Sequence, residues 1–215
     1  MTIDVYGDLF IPAKDGCDSS GLGKYVATPG YENYGKRSNA ITAIVLSSTN
    51  GMSYAEAFSK YALNKNESVH YLIGENGRID NLVPISCRAN HVKNASYWNQ
   101  KSDANDFSIS IALEHAASPL KCYPTIYTSY EKRKNGECNM SGFSSYQIKS
   151  LSKILKCLTF MFNIEAKNII AAGDIDFDVV SPGAAFDWSG LHREGYGSYS
   201  DTSSTDTVTH KSLSL

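Results

Sequence analysis

No run of apolar residues in this 215-residue chain approaches the roughly 18 needed to cross a bilayer, so a membrane span is excluded. A basic excess is missing too. Twenty Lys and Arg stand against 22 Asp and Glu, a formal net charge of −2, and this balance points neither to nucleic acid nor to an anionic membrane surface. Met1 to Lys14 holds no basic segment followed by a long apolar stretch. No secretory signal is therefore visible, and a cytoplasmic location is the expectation unless a signal was removed or export takes another route. The five cysteines (Cys17, Cys87, Cys122, Cys138, Cys157) form no CxxC pair and no zinc-ribbon spacing. They read as free thiols in a reducing compartment, with a Cys122–Cys138 disulfide left open for an exported protein. No internal repeat is present. What the chain does have is 42% hydrophobic residues, enough for a real core in one domain with a tail. It also has 14 tyrosines, a residue suited to sugar stacking or to a protein interface.

Residues 1–40 are rich in Gly, Ser, Asp and Tyr and read as irregular. The almost continuously apolar run Ile41 to Ser47 predicts a buried strand. Ser53 can cap a helix in which Ala55, Ala57, Phe58, Tyr61, Ala62 and Leu63 fall near helical spacing. Ser68 to Ile73 and Arg78 to Pro84 predict two strands joined at Glu75-Asn76-Gly77-Arg78, where Asn-Gly suits a tight primed turn. Phe107 to Glu114 predicts a fourth strand, buried on its Ile109, Ile111 and Leu113 side. Residues 116–140 lack periodicity and read as a long loop. Ser144 or Ser145 then opens the clearest helix, with Ile148, Leu151, Leu155, Leu158 and Met161 as its apolar stripe and Asn163 as its stop. Ile169 to Ala172 predicts a last strand. Strands alternating with two strong helices predict a single α/β domain, a mixed central sheet flanked by helices. The expected organisation is an irregular N-terminal arm over 1–28, a domain over 29–194 with the 116–140 insertion, and a disordered Ser/Thr-rich tail over 195–215.

Four stretches carry a resemblance: Ile44-Val45-Leu46-Ser47-Ser48-Thr49, Val69-His70-Tyr71-Leu72-Ile73, Asn105-Asp106-Phe107-Ser108-Ile109-Ser110-Ile111 and Ser181-Pro182-Gly183-Ala184-Ala185-Phe186-Asp187-Trp188. In this order and spacing they resemble the N-acetylmuramoyl-L-alanine amidase family, the zinc peptidoglycan amidases related to the anhydro-muropeptide amidase of Gram-negative bacteria. The resemblance runs from the opening segment Pro29-Gly30-Tyr31-Glu32-Asn33-Tyr34 to about residue 192 and implies the same α/β fold.

It also implies an emptied centre. The family's first zinc histidine ends the strand Ile-Val-Ile-His, and here Ser47 stands there. The second histidine's place, within Ala171-Ala172-Gly173-Asp174-Ile175, is taken by Ala172. The third ligand precedes Pro-Gly, and here it is Ser181. A hydroxyl is a poor zinc ligand at neutral pH and a methyl is none, so no zinc is expected, although active members of the family hold it. The proton-transfer positions read Ala112 for a glutamate and Val69 for a tyrosine. The oxyanion lysine's place reads Val179, with Asp178 in an alternative register. Zinc lowers the pKa of bound water from about 15.7 to about 7. Without metal, base or oxyanion partner, the family's own chemistry is not expected.

Strand alternation from the Val69 register places Val69 and Tyr71 toward the cleft and His70 on the opposite, structural side. Asn90 and His91, in Arg88-Ala89-Asn90-His91, correspond to a cleft lining in the family, and Asn90, His91, Trp98, Asn105 and Ser48 are the candidate ligand contacts. Asp174, Asp176 and Asp178 have the spacing of an oxygen-ligand site but lack the Gly and distal Glu of a calcium loop, so they read as a solvated turn. The resemblance to immune recognition proteins, which lose zinc ligands yet keep muropeptide binding, implies a protein that binds peptidoglycan or a muropeptide without cutting it. Two alternatives stand beside it: a protein–protein interaction module reusing the fold, and an active amidase with a relocated zinc site drawing on His91, Glu114 and Asp174.

Overall fold

The computed structural model describes residues 34–63, 66–92, 97–98, 101–115, 142–176, 181–183 and 186–193. The expectations for 1–28, 116–140, 195–215, Val179, Asp178 and the Cys122–Cys138 pair concern positions outside the described residues. The opening segment as far as Asn33 also lies outside them.

Five strands form the central sheet: β2 (Ala43–Ser48), β3 (Tyr71–Ile73), β4 (Ile79–Asn81), β8 (Ser108–Leu113) and β9 (Ile169–Ala171), in the order β4-β3-β8-β2-β9. Strands β3, β8, β2 and β9 run parallel, and β4 is antiparallel at one edge. This is the mixed α/β sheet that the alternation of elements predicts. Strand β8 is buried on both faces rather than one, because helices cover the sheet on both sides. Its second face, Ser108, Ser110 and Ala112, is built of small residues where neighbouring chain packs close.

Helix α1 (Tyr54–Leu63) covers the Ala112 side, where Ala57 and Tyr61 meet Val69, Leu72 and Ala112. Ser53 and Glu56 cap it reciprocally, and Glu114 Oε1 accepts the Tyr54 N–H at 2.6 Å. The longest helix, α3 (Ser145–Phe162), covers the other face. Ser144 Oγ accepts the Gln147 N–H at 3.1 Å while Gln147 Oε1 accepts the Ser144 N–H at 3.0 Å, and Asn163 ends the helix at φ 51°. Leu151, Leu155 and Leu158 are fully buried against Ile44, Leu46, Ile109 and Ile111. Each such leucine contributes roughly 1.5–3 kcal/mol before ordering entropy is subtracted.

Several elements depart from the sequence reading. The turn after β3 is not primed. Gly77 donates to Gly74 O across Glu75-Asn76, only Gly77 has positive φ (83°), and Gly74 N bonds Arg78 O. This is a type I turn closed by a left-handed glycine, the three-residue hairpin loop. Part of the stretch 1–40 is ordered: β1 (Tyr34–Lys36) pairs antiparallel with β5 (Cys87–Ala89). Short elements with no sequence signal are the ribbon β6 (Tyr97–Trp98) with β7 (Lys101–Ser102), and the helices α2 (Ala104–Phe107) and α4 (Trp188–Arg193).

Candidate functional site

Parallel pairing brings together positions that the resemblance matches to the family's ligands. Ser47 lies in register with Ala112, and Ala112 with Leu72, so all three share one row of the sheet. Leu46 is in register with Ala171, which carries Ala172 to the flank of Ser47. The loop before Pro182 closes the group: Ser181 Oγ accepts the Ser48 N–H at 2.5 Å, lies 3.3 Å from Ser48 Oγ, and Ser181 O accepts the Gly173 N–H at 3.1 Å. Ser48 and Ser181 are buried, and Ser48 Oγ bonds Asn50 Oδ1 at 3.1 Å.

The donors at this centre do not fit zinc. Ser181 offers a hydroxyl already engaged by an amide, Ser47 a half-buried hydroxyl, Ala172 a methyl. Among the described residues, no group of three or more His, Cys, Asp or Glu side chains converges on a point where a metal ion could sit. The position of the glutamate is also sealed: Ala112 is fully buried in an apolar cluster with Val69, Leu72, Leu82, Ala57 and Tyr61.

His70 corrects the expected parity. Residues 67–70 precede β3 and bend, so alternation starts only at Tyr71. Tyr71 pairs with Ile111 and joins the core under α3, whereas Val69 does pack beside Ala112. The His70 ring lies with Ser110, on the same face of β8 as Ala112. It is fully buried. Ser110 N–H donates to Nδ1 at 3.0 Å, so Nε2 carries the proton and donates to Cys87 O at 3.1 Å. Its structural role stands, but the face is the other one.

Arg37, which the sequence reading passed over, organises this region. Its guanidinium donates to the carbonyls of Asp106, Cys87 (2.7 Å) and Ser108 (3.0 Å), tying the end of β1 to β5 and β8. The buried hydroxyls of Ser108 and Ser110 are met instead by His91 and His70.

The candidate ligand contacts separate into two groups. Asn105 is buried and its amide is fully committed: Oδ1 accepts from His91 N–H (2.9 Å) and Val92 N–H (3.0 Å), and Nδ2 donates to Val92 O (2.9 Å). It is a clamp on the segment after β5, not a free ligand contact. His91 turns its ring inward, with Nε2 at 3.0 Å from Ser108 Oγ and Nδ1 at 3.3 Å from Ala89 O. Ser108 begins β8, four residues before Ala112, so this ring sits about 13 Å along the strand from the emptied centre. Asn90 exchanges backbone and hydroxyl bonds with Ser68 and is half-buried. Trp98 pairs with Lys101, whose ammonium bonds Thr42 at the start of β2, and it packs on the cluster that runs from Ala43 and Phe107 to Ala172; its enclosed indole N–H has no acceptor among the described residues.

The proposed replacement ligands do not meet. Glu114 accepts the N–H groups of Tyr54 and Glu75 beyond the far end of β8. Asp174 accepts the Ala171 N–H at 3.0 Å, and His91 is held at the start of β8. His91 and Glu114 are separated by the length of that strand, about 20 Å, so they cannot share a metal ion.

Burial, with Arg37 and His91 adding to it, holds the His70 ring well below the ordinary imidazole pKa. Burial, with help from Arg37 and Arg88 and against the Ala89 carbonyl, brings His91 down to about 3. The His91 residue as a whole is partly exposed; the depressed value belongs to the inward-facing ring. Unfolded, each ring takes up a proton below about pH 6.5. The unfolded state therefore binds more protons between that pH and the folded values, and stability falls as pH drops through the window. Urea titrations from neutral pH downward are expected to show proton uptake on unfolding, and His91→Gln to flatten the slope. An unchanged slope in that variant would mean that the ring titrates as in water.

The fold and the convergence of these segments define a class: a mixed α/β domain of the peptidoglycan-amidase and peptidoglycan-recognition type. The chain belongs to the N-acetylmuramoyl-L-alanine amidase family, whose sequence profile matches residues 37–194. Among solved structures it is similar to the Escherichia coli amidase AmiD in complex with the substrate anhydro-N-acetylmuramic acid-L-Ala-D-γ-Glu-L-Lys. That match has TM-score 0.60 and 24% identity, over 87% of this chain and 68% of that one. It is also similar to AmpDh3 of Pseudomonas aeruginosa in complex with anhydromuramic pentapeptide, with TM-score 0.60 and 23% identity over 83% and 67%. Drosophila peptidoglycan recognition protein LB in complex with tracheal cytotoxin matches at TM-score 0.51 and 9% identity over 82% and 93%. At these identities the likeness shows the fold. No curated protein sequence matches the chain.

Proposed function

We propose that this chain is a catalytically degenerate member of its family that binds peptidoglycan or a muropeptide fragment without cleaving it. One observation carries the reading: the positions that would hold metal and base are adjacent in space, yet they present two hydroxyls and two methyls, with Ser181 Oγ closed onto the Ser48 amide at 2.5 Å. Ala112 sits in an apolar cluster, where an ionised base has no solvent or partner. Binding is supported by the neighbours whose structures hold muropeptide ligands. On this chain the half-buried Ser47 hydroxyl lies in the row with Ala112 and suits a sugar or peptide amide oxygen.

The test is elemental analysis and zinc titration of chelator-treated protein, followed by calorimetry and product analysis with an anhydro-muropeptide. The expected outcome is no stoichiometric zinc, saturable muropeptide binding and no released peptide. A tight one-to-one zinc site with peptide release overturns the degenerate reading; absence of muropeptide binding overturns the ligand.

A further inference from the structure

The outward face of α3 carries a line of side chains unlike the rest of the molecule. Tyr146, Lys149, Lys153, Lys156 and Phe160 fall within an arc of about 80° at 100° per residue. All five are exposed, Tyr146 at 66% and Phe160 at 81% of their surface. None of the 18 residues of α3 is acidic, and none of the three lysines forms an ion pair with a described residue. Four other described cations are paired, in Lys60–Glu67, Arg78–Asp80, Arg88–Asp103 and Lys167–Glu165, and Lys36 and Lys101 stand singly on other surfaces rather than in a line. The whole-chain charge of −2 therefore conceals a helix of +3.

We propose that this face of α3 docks on an anionic lipid bilayer surface. Three lysines along one line reach lipid phosphates on flexible stems, while an aromatic ring at each end seats at the headgroup level. A helical protein partner fits less well, because a seam of this spacing would put lysines where a coiled coil needs apolar residues. The inner face of α3 is already occupied by the core, so the helix binds the surface as the outside of a folded domain. The Ala112 side of the sheet, covered by α1, faces the other way.

The experiment is sedimentation of the full chain with vesicles of phosphatidylcholine alone or of phosphatidylcholine mixed equally with phosphatidylglycerol, at low and high salt. Four forms are compared: wild type, the triple variant Lys149→Gln, Lys153→Gln, Lys156→Gln, the variant Phe160→Ala, and Lys167→Gln as a control from another surface. Circular dichroism confirms that each is folded. Wild type and control are expected to bind the anionic vesicles alone, less at high salt. The triple variant is expected to lose about a hundredfold in partitioning, about fivefold per lysine. Phe160→Ala is expected to weaken binding severalfold at both salt concentrations. Equal binding to both vesicles, binding to neither, or undiminished binding by the folded triple variant overturns the proposal. Binding of polyglutamate but not of vesicles also overturns it, and assigns the face to an acidic protein segment. Because Lys132, Arg133 and Lys134 lie outside the described residues, the triple variant is the comparison that ties binding to the helix.

Discussion

Installing three ligands at once, Ser47→His, Ala172→His and Ser181→Asp, is expected to give this chain a tight zinc site. Ser47 ends a central strand, Ala172 follows the residue in register with Leu46, and Ser181 already bonds the amide next to Ser47. Nothing has to move far for three side chains to meet. Two imidazoles and a carboxylate form a set that holds zinc with one position open, whereas any single substitution offers one ligand among waters and is expected to bind no better than wild type. Titration calorimetry and the urea midpoint with and without zinc check this. With free zinc a thousandfold above its dissociation constant, the triple variant gains about 4 kcal/mol of stability. A folded triple variant that ignores zinc would show that the three positions do not converge. A wild type that responds as strongly would show that its own residues suffice as ligands.

The second large effect goes in the opposite direction. Ala112→Glu, which restores the family's carboxylate at its own position, is expected to destabilise the metal-free chain by at least about 3 kcal/mol. Ala112 has no exposed surface, and Val69, Leu72, Leu82, Ala57 and Tyr61 surround it. A glutamate there overfills the cluster and brings a charge without a partner. Burial raises the carboxyl's folded pKa above its unfolded value of about 4.3, so the charge-dependent part of the penalty is absent below that value and grows as pH rises through the folded pKa. The difference in unfolding free energy between variant and wild type should therefore be larger at pH 7 than near pH 4. A variant as stable as wild type at neutral pH would mean that Ala112 opens onto solvent.

Much of the frame was legible because it rests on local signals. The apolar run ending at Ser47, the Ser144 cap with its stripe of leucines, and the stop at Asn163 each follow from a few neighbouring residues, and the structure carries all three. Motif order singled out Ser47 and Ala112, and parallel pairing sets them side by side. What escaped depends on distant partners. Arg37 acts through carbonyls about fifty and seventy positions away, and no local pattern marks it. The face of His70 was misjudged because alternation was extended into residues that bend before the strand starts. Asn105 was placed among ligand contacts by its neighbourhood in the motif, while its amide closes onto His91 and Val92. A polar side chain's task cannot be read until the backbone groups around it are counted.

Strand β2 has a further consequence, in the order of events during synthesis. It pairs on one side with residues 108–113 and on the other with residues 169–171, so it becomes an interior strand only after most of the chain exists. Until Ile169 to Ala171 emerge, the edge formed by Ile44, Val45 and Leu46 is an unpaired apolar strand, open to any other chain. The segment bearing Ser47 and Ser48 is thus both the frame of the candidate site and the last interior edge to close. Assembly from such distant pairings is slow in kind, and it leaves that edge exposed for longer than a hairpin would.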